Sequence, residues 1–376
     1  MSAIRVGVIG LGMIGAVHVR AARSNGARLM GIVASTPERS REAAQRLGAE
    51  KVFDTSDALI DNANVDLVHI CTPNYLHAPL ALRAIQAGKH VICEKPLALD
   101  ANEAETLSIM AQQSGVVTAV PFVYRYNSLI RESRARFASG AAGRVHLIHG
   151  HYLQDWLLNQ GDHNWRVDAD KGGVSRTFAD IGSHWCDLAE FVTGHTIESV
   201  SAQRYVAHAE RLAGLERQSF SGLAVVGQLA PVRTEDAMAV QFRTTEGALG
   251  SMLASQVSAG RKNRLAIEIN GAIESVAFDQ EHPEELWRGR RDGADHVMRD
   301  PVNLVEDARR MTWLPAGHPE GYERCFEVFV GDAYDAVRTG LLPVGFPTFD
   351  DGLRSARIVD AVLTSARTQT WVDVSG

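Results

Sequence analysis

The chain has 376 residues, 45% of them hydrophobic, with 38 basic and 45 acidic side chains and a formal net charge of −7. That length exceeds what one ordinary core holds, so two lobes with a cleft between them are expected. The charges are interspersed rather than gathered into a cationic stripe, which argues against nucleic acid as a partner, and no apolar run is long enough to cross a bilayer. Residues 1–5 lead straight into a strand pattern without the features of a signal peptide, so a cytoplasmic protein is expected. Cys71, Cys93, Cys186 and Cys325 are far apart and form no CxxC pair. They read as buried thiols, and no metal site is expected.

In chain order, Ile4 to Ile9 reads as a buried strand that breaks at Gly10-Leu11-Gly12-Met13-Ile14-Gly15 and continues into a helix from Ala16 to Asn25. Each glycine has a task there: Gly10 permits the turn, Gly12 lets backbone N–H groups approach a pyrophosphate, and Gly15 brings the helix close to the strand. The helix amino terminus adds partial positive charge for the phosphates. Further strands are expected at Leu29 to Ala34, Lys51 to Phe53, Val65 to Thr72 and His90 to Cys93, with a helix from near Pro37. Strand and helix in alternation imply a parallel, doubly wound sheet.

Twenty residues after Gly15, the place of the acidic side chain that selects NAD is taken by Ser35 and Thr36. Together with Arg39 these residues suit a 2′-phosphate, but Arg39 is equally a surface residue beside Glu38, so NAD and NADP both stay open. The run Cys71-Thr72-Pro73-Asn74-Tyr75-Leu76-His77 and the step Glu94-Lys95-Pro96 each follow a strand, at the carboxyl edge where cofactor crevices lie. The Lys-Pro step ends the strand and sets one long cation at that edge.

Farther on, Asp180 and His184 stand four residues apart in an apolar amphipathic stretch from Phe178 to Thr193. On a helix they share a face, and a carboxylate beside an imidazole orients it and raises its basicity. Taken alone, the two residues read better as a helix-terminal Asp with a satisfied core histidine. A zinc pair is a third reading, without a supporting partner.

The glycine turn at residues 10 to 15, Glu94-Lys95-Pro96 and Asp180-x-x-x-His184, in this order, resemble the glucose-fructose oxidoreductase, inositol 2-dehydrogenase and MocA family over nearly the whole chain. The resemblance implies an α/β fold: a Rossmann domain over residues 1–122, then a substrate-binding and oligomerisation domain over residues 123–376 with a large, mostly antiparallel open sheet. Carboxyl-terminal helices packing back on the first domain and a homodimer or homotetramer belong to that expectation. It further implies that Lys95, Asp180 and His184 form the catalytic and substrate-binding group, with His184 as base and Lys95 polarising the hydroxyl. Gly10, Gly12, Met13, Ile14, Gly15, Ser35, Thr36, Arg39, Thr72, Pro73, Asn74, His77, Glu94 and Lys95 would hold the cofactor, with Trp165 and Arg166 beside the nicotinamide. Tyr126, Gln154 and Trp156 read as substrate-pocket residues, or as a packing segment of the second domain. Five cations, Arg125, Arg166, Arg176, Arg261 and Lys262, read mainly as solvated ion-pair partners, two or three of them available for an anionic group.

Residues 152–157, 164–166, 260–264 and 346–352 are similar to the branch of levoglucosan dehydrogenase-like glycoside 3-dehydrogenases. That similarity implies oxidation at C3 of a sugar, glycoside or anhydrosugar and favours NAD. Two other functions fit the same residues: a redox-neutral glycosidase acting through transient C3 oxidation, and a non-catalytic cofactor or sugar sensor. Beyond Val120, strand-like runs at 145–152, 238–243, 248–256 and 265–270 suggest a mixed or antiparallel sheet. Helical spacing is expected over 321–339 and 350–366, and the charged, proline-bounded residues 282–301 read as a long surface excursion.

Overall fold

The computed structural model describes residues 3–213 and 228–374. They group into two compact units. The first comprises Met1–Pro121, Asp170–Gly173 and Phe326–Ala356, and the second Phe122–Ala169, Val174–Cys325 and Arg357–Gly376.

In the first unit six parallel strands, β1 (Arg5–Ile9), β2 (Arg28–Val33), β3 (Lys51–Val52), β4 (Leu67–Ile70), β5 (His90–Cys93) and β6 (Thr118–Ala119), lie in the order β3-β2-β1-β4-β5-β6. Helices flank the strands, so β4 is buried along its whole length and β1 and β5 at all but their first residues. This is why their sequences are apolar runs rather than alternations. Local chemistry starts and stops the helices. Thr36 accepts from the Arg39 N–H (3.2 Å) to cap helix Pro37–Leu47, and Gly48 ends it in the left-handed region at φ 55°. The later residues of this unit are tied in: the Val120 N–H donates to the Pro347 carbonyl (3.1 Å), and the Asn25 amide donates to the Glu327 carbonyl (2.8 Å).

The second unit is built on nine strands: β7 (Val145–Leu153), β8 (Ile197–Tyr205), β11 (Ala237–Thr244), β12 (Leu249–Ser255), β13 (Arg264–Gly271), β14 (Ser275–Asp279), β15 (Glu285–Arg290), β16 (Gly293–Met298) and β17 (Val372–Asp373). Their order is β16-β15-β14-β13-β7-β12-β11-β8-β17, and the β12–β7 pairing is parallel while the other neighbours run antiparallel. Strands β9 (Glu210–Ala213) and β10 (Gln228–Pro231) form a separate ribbon. In β11, Met238, Val240 and Phe242 point into the core while Ala239, Gln241 and Arg243 point out, the period-2 pattern of a sheet covered on one face. The covering helices include Ser128–Ala138 and Ser183–Thr193, and from the latter Trp185, fully buried, donates its indole N–H to the Ala266 carbonyl at 2.9 Å.

The expected surface excursion over 282–301 is a hairpin instead, formed by β15 and β16 at the edge of the sheet. β16 is almost wholly exposed on both faces. Exposed on both faces, its sequence Gly-Ala-Asp-His-Val-Met carries no regular apolar alternation, and Asp295 is a charge of the kind edge strands commonly bear. All four cysteines are buried, and none is in a disulfide. Among the described residues, no helix is long and apolar enough to cross a membrane.

Candidate active site

In the first unit the site starts at the turn after β1. Gly10 has φ +92°, and a Cβ there would stand 2.4 Å from the Cys71 carbonyl oxygen. A Cβ on Gly15 would stand 2.1 Å from the Gly10 carbonyl oxygen, while one on Gly12 would meet open space. Backbone therefore packs on backbone at two glycines, and the third leaves an uncovered approach to helix Met13–Ser24. No side chain caps that helix, and its first turn carries no acidic residue, so its leading N–H groups suit an anion. Met13 is exposed and Ile14 half-buried beside this turn. Next to Gly10, the buried Thr72 hydroxyl has no hydrogen-bond partner, as a ligand-facing polar atom would. These features fit a dinucleotide.

Around the rim, Ser35, Thr36 and Arg39 are all exposed, with the Arg39 guanidinium donating to the Ser35 hydroxyl at 3.0 Å. Pro73 is half-buried, and the buried Asn74 amide donates to the Gly172 carbonyl (2.8 Å). His77 is used at both ring nitrogens: Nδ1 lies 2.7 Å from the Pro96 carbonyl and Nε2 2.8 Å from the Thr72 carbonyl. It thus ties the loop after β4 to the loop after β5. Burial lowers its basicity, against the pull of those two carbonyls. At the end of β5 the buried Glu94 carboxylate accepts from His18 Nε2 (3.0 Å) and from the Lys95 backbone N–H (3.2 Å). Lys95 itself is half-buried.

In the second unit, Asp180 belongs to a π-helix over Phe178–Gly182, and His184 to the α-helix Ser183–Thr193 that follows. The wider turn replaces the single regular helix expected through both residues, and such turns recur at functional sites. Asp180 accepts from the Gln256 amide (2.9 Å) and pairs with Arg166 Nε at 3.4 Å, while Arg166 stacks on Trp165 at 4.4 Å. His184 is ringed by Phe122 (5.8 Å), Tyr124 (5.2 Å) and Tyr152 (6.5 Å).

The tyrosines open a polar chain. Tyr152 donates to Asn263 Oδ1 (2.8 Å), so the proton on the 2.7 Å contact between the two hydroxyls comes from Tyr124. The Gln154 amide donates to the same Asn263 oxygen (2.9 Å), and the Trp156 indole donates to Gln154 (2.7 Å). Burial raises the Tyr124 phenol to about 12 and Tyr152 well above its ordinary value, so both remain hydrogen-bond donors.

Tyr126 sits under the Arg131 guanidinium at 5.0 Å, whereas Tyr124, two residues earlier, faces His184. Tyr124, Tyr152, Gln256 and Asn263 were thus missed as site residues, though Tyr152 and Asn263 lie in two of the segments that carried the branch similarity. The five cations all have carboxylate partners: Asp187 for Arg125, Asp180 for Arg166, Asp236 for Arg176, Glu281 for Arg261 and Asp155 for Lys262. Arg125 and Arg176 are buried rather than solvated.

A parallel sheet with a dinucleotide-fitted glycine turn, joined in one chain to a β-sheet unit bearing a histidine among polar side chains, defines a nicotinamide-dependent oxidoreductase. Residues 4–122 match the model of the oxidoreductase family with an NAD-binding Rossmann fold, and residues 130–277 that of the GFO/IDH/MocA C-terminal domain. Levoglucosan dehydrogenase of Pseudarthrobacter phenanthrenivorans is 31% identical over 100% of this chain and 99% of its own. Inositol 2-dehydrogenase of Rhizobium meliloti is 25% identical over 99% of both. Among solved structures, a levoglucosan dehydrogenase in complex with NADH and L-sorbose superposes with a TM-score of 0.91 at 30% identity over 100% of both chains. The chain belongs to the GFO/IDH/MocA family of NAD-dependent oxidoreductases acting on sugars and polyols.

Proposed function

We propose that this enzyme oxidises the C3 hydroxyl of a sugar, glycoside or anhydrosugar such as levoglucosan, with His184 as general base and Lys95 polarising the same hydroxyl. The observation that carries the reading is the setting of His184 among the neutral Tyr124 and Tyr152 phenols, with Gln154, Trp156 and Asn263 beyond them. Such a mix of aromatic faces and amide forks suits a polyhydroxylated ring. Full-length similarity to levoglucosan dehydrogenase supports the substrate class.

The chemistry NAD supplies when bound is acceptance of a hydride. Gly10, Gly12, Met13, Ile14 and Gly15 would hold its pyrophosphate, Ser35, Thr36 and Arg39 the adenosine ribose, and Thr72, Pro73, Asn74, His77, Glu94, Trp165 and Arg166 the remainder. A carbinol carbon releases hydride readily only as its hydroxyl proton departs, so His184 takes that proton while the Lys95 ammonium stabilises the charge developing on oxygen. Asp180, fixed by Gln256 and Arg166, keeps a carboxylate one helical turn before His184 and offsets its positive charge after proton transfer. Gln154, Trp156 and Tyr124 supply substrate contacts, whereas Tyr126, buried under Arg131, packs behind them. We also read the chain as a cytoplasmic homodimer or homotetramer, consistent with cysteines outside any disulfide and with the half-exposed Leu147, Leu249 and Leu253 on the open sheet face.

The test is formation of NADH with levoglucosan, glucosides and inositols, using Lys95→Ala and His184→Ala as controls and substrate deuterated at C3. A signal abolished in both variants, with a primary isotope effect from the C3 deuterium, is the expected result. Oxidation that gives NADH without deuterium from C3 refutes C3, and substrate cleavage without NADH refutes net oxidation.

A further inference from the structure

Inside the first unit, four side chains that the proposed reaction does not use as a group form a continuous buried chain. His18 and His69 are fully buried, as is Tyr334, and Glu94 is 6% exposed. His18 lies on the helix after the glycine turn, His69 within β4, Glu94 at the end of β5, and Tyr334 on helix Tyr322–Thr339. The Tyr334 hydroxyl is 2.9 Å from His69 Nε2, the two Nδ1 atoms of His69 and His18 are 2.9 Å apart, and His18 Nε2 is 3.0 Å from Glu94. A histidine in a strand buried along its length is costly unless both nitrogens are satisfied.

Proton placement follows from the acceptors. Burial opposes ionisation of Glu94, but the His18 hydrogen bond, with nearby Lys95 and His77, outweighs it and holds the carboxyl below its ordinary range. An ionised carboxylate only accepts, so His18 Nε2 carries hydrogen. Burial holds His69 neutral, and burial keeps the Tyr334 phenol protonated. One arrangement then satisfies every atom without a ring cation: Tyr334 O–H donates to His69 Nε2, His69 Nδ1–H to His18 Nδ1, and His18 Nε2–H to Glu94. All three donors point the same way, toward the carboxylate. The competing arrangement reverses the first two bonds and makes His18 an imidazolium, which would cancel the charge of Glu94.

We propose that the chain Tyr334–His69–His18–Glu94 is a positioning device that presents the Glu94 carboxylate to the nicotinamide half of the cofactor and makes the enzyme bind its oxidised form in preference to the reduced one. With the pyrophosphate at the turn after β1 and the adenosine ribose at the end of β2, the strand order leaves the nicotinamide half to the ends of β4 and β5. The oxidised ring is a cation and the reduced ring is neutral, so a fixed negative charge discriminates between them; Lys95, adjacent in sequence, moderates the effect without removing it. The inference rests on the assignment of NAD as cofactor.

The test measures dissociation constants for NAD+ and NADH by calorimetry on the full chain, without substrate. Glu94→Gln is expected to weaken NAD+ about tenfold and NADH less than about twofold, and Tyr334→Phe to shift the ratio the same way by about two- to threefold. Equal weakening of both forms, as a merely structural role would give, overturns the proposal, and so does an unchanged ratio. Should Glu94→Gln fail to fold, Tyr334→Phe and nitrogen-15 histidine spectra of the wild type decide. Those spectra should show hydrogen on His18 Nε2 and on His69 Nδ1, and a doubly protonated His18 refutes the relay. Wild-type protein that binds neither form would instead refute the cofactor assignment beneath it.

Discussion

The side-chain oxygen of Asn263 receives two buried donors at once, the Tyr152 hydroxyl at 2.8 Å and the Gln154 amide at 2.9 Å. Asn263→Ala would orphan both. The expected result is a loss of about 1–3 kcal/mol of stability and a fall of at least about tenfold in kcat/KM for the sugar, with NAD affinity retained. Asn263→Asp, which keeps the acceptor, should recover most of the stability. Thermal melts and steady-state kinetics on the two variants check this.

Gly12 and Gly15 should respond differently to the same added methyl group. Gly12→Ala meets open space, so stability should stay within about 0.5 kcal/mol of wild type while NAD binding weakens, since the approach to the helix terminus is narrowed. Gly15→Ala drives a Cβ to 2.1 Å from the Gly10 carbonyl oxygen and should cost about 1–3 kcal/mol of stability as well. Melting temperature and cofactor titration together separate the two cases.

Ser35 stands where an acidic side chain would hold the adenosine ribose. Ser35→Asp should widen the preference for NAD over NADP by about tenfold through repulsion of the 2′-phosphate, and Arg39→Ala should lower NADP use more than NAD use. The ratio of kcat/KM values for the two cofactors is the readout.

Asp236 is fully buried against Arg176 and Arg211, the latter at 2.7 Å, and also accepts from the Ala207 N–H at 2.7 Å. Burial raises its pKa, but the two guanidiniums more than reverse that and hold it below the unfolded value. The sign follows directly: the stability it contributes is present above the unfolded pKa of about 3.9 and is lost as pH falls through the lower folded value. Asp236→Asn should cost about 3–5 kcal/mol at pH 7 and much less in the acid range, as chemical denaturation at several pH values would show.

The parts of the molecule legible in its sequence are those where one physical demand acts on neighbouring residues. Buried parallel strands gave apolar runs at β1, β4 and β5, and one-sided cover gave the alternation of β11. Close backbone approach required glycine at 10 and 15. What escaped notice depends on partners distant in the chain. Asn263 meets Tyr152 across 111 residues, and His18 meets His69 across 51, with no local periodicity to announce either. The π-helix at Asp180 leaves the i, i+4 spacing intact in the sequence while changing the backbone that carries it. Tyr124 and Tyr126 share a 3₁₀ turn and similar surroundings in the sequence, and only the folded chain assigns one to His184 and the other to Arg131.

The first unit is not one stretch of chain. Its sheet ends at residue 119, yet Tyr334 closes the hydrogen bonds of His69, Pro347 receives the Val120 N–H, and Gly352 lies against Leu97 and Val120. A ribosome that has delivered the first 122 residues has therefore produced every strand of this sheet without the side chains that seal it. Completion waits for another 230 residues or so, through the whole synthesis of the nine-stranded sheet, save its last short strand. The cofactor cradle is in this sense encoded early and finished late, and an amino-terminal fragment cut at residue 122 would leave a buried histidine without its hydroxyl partner.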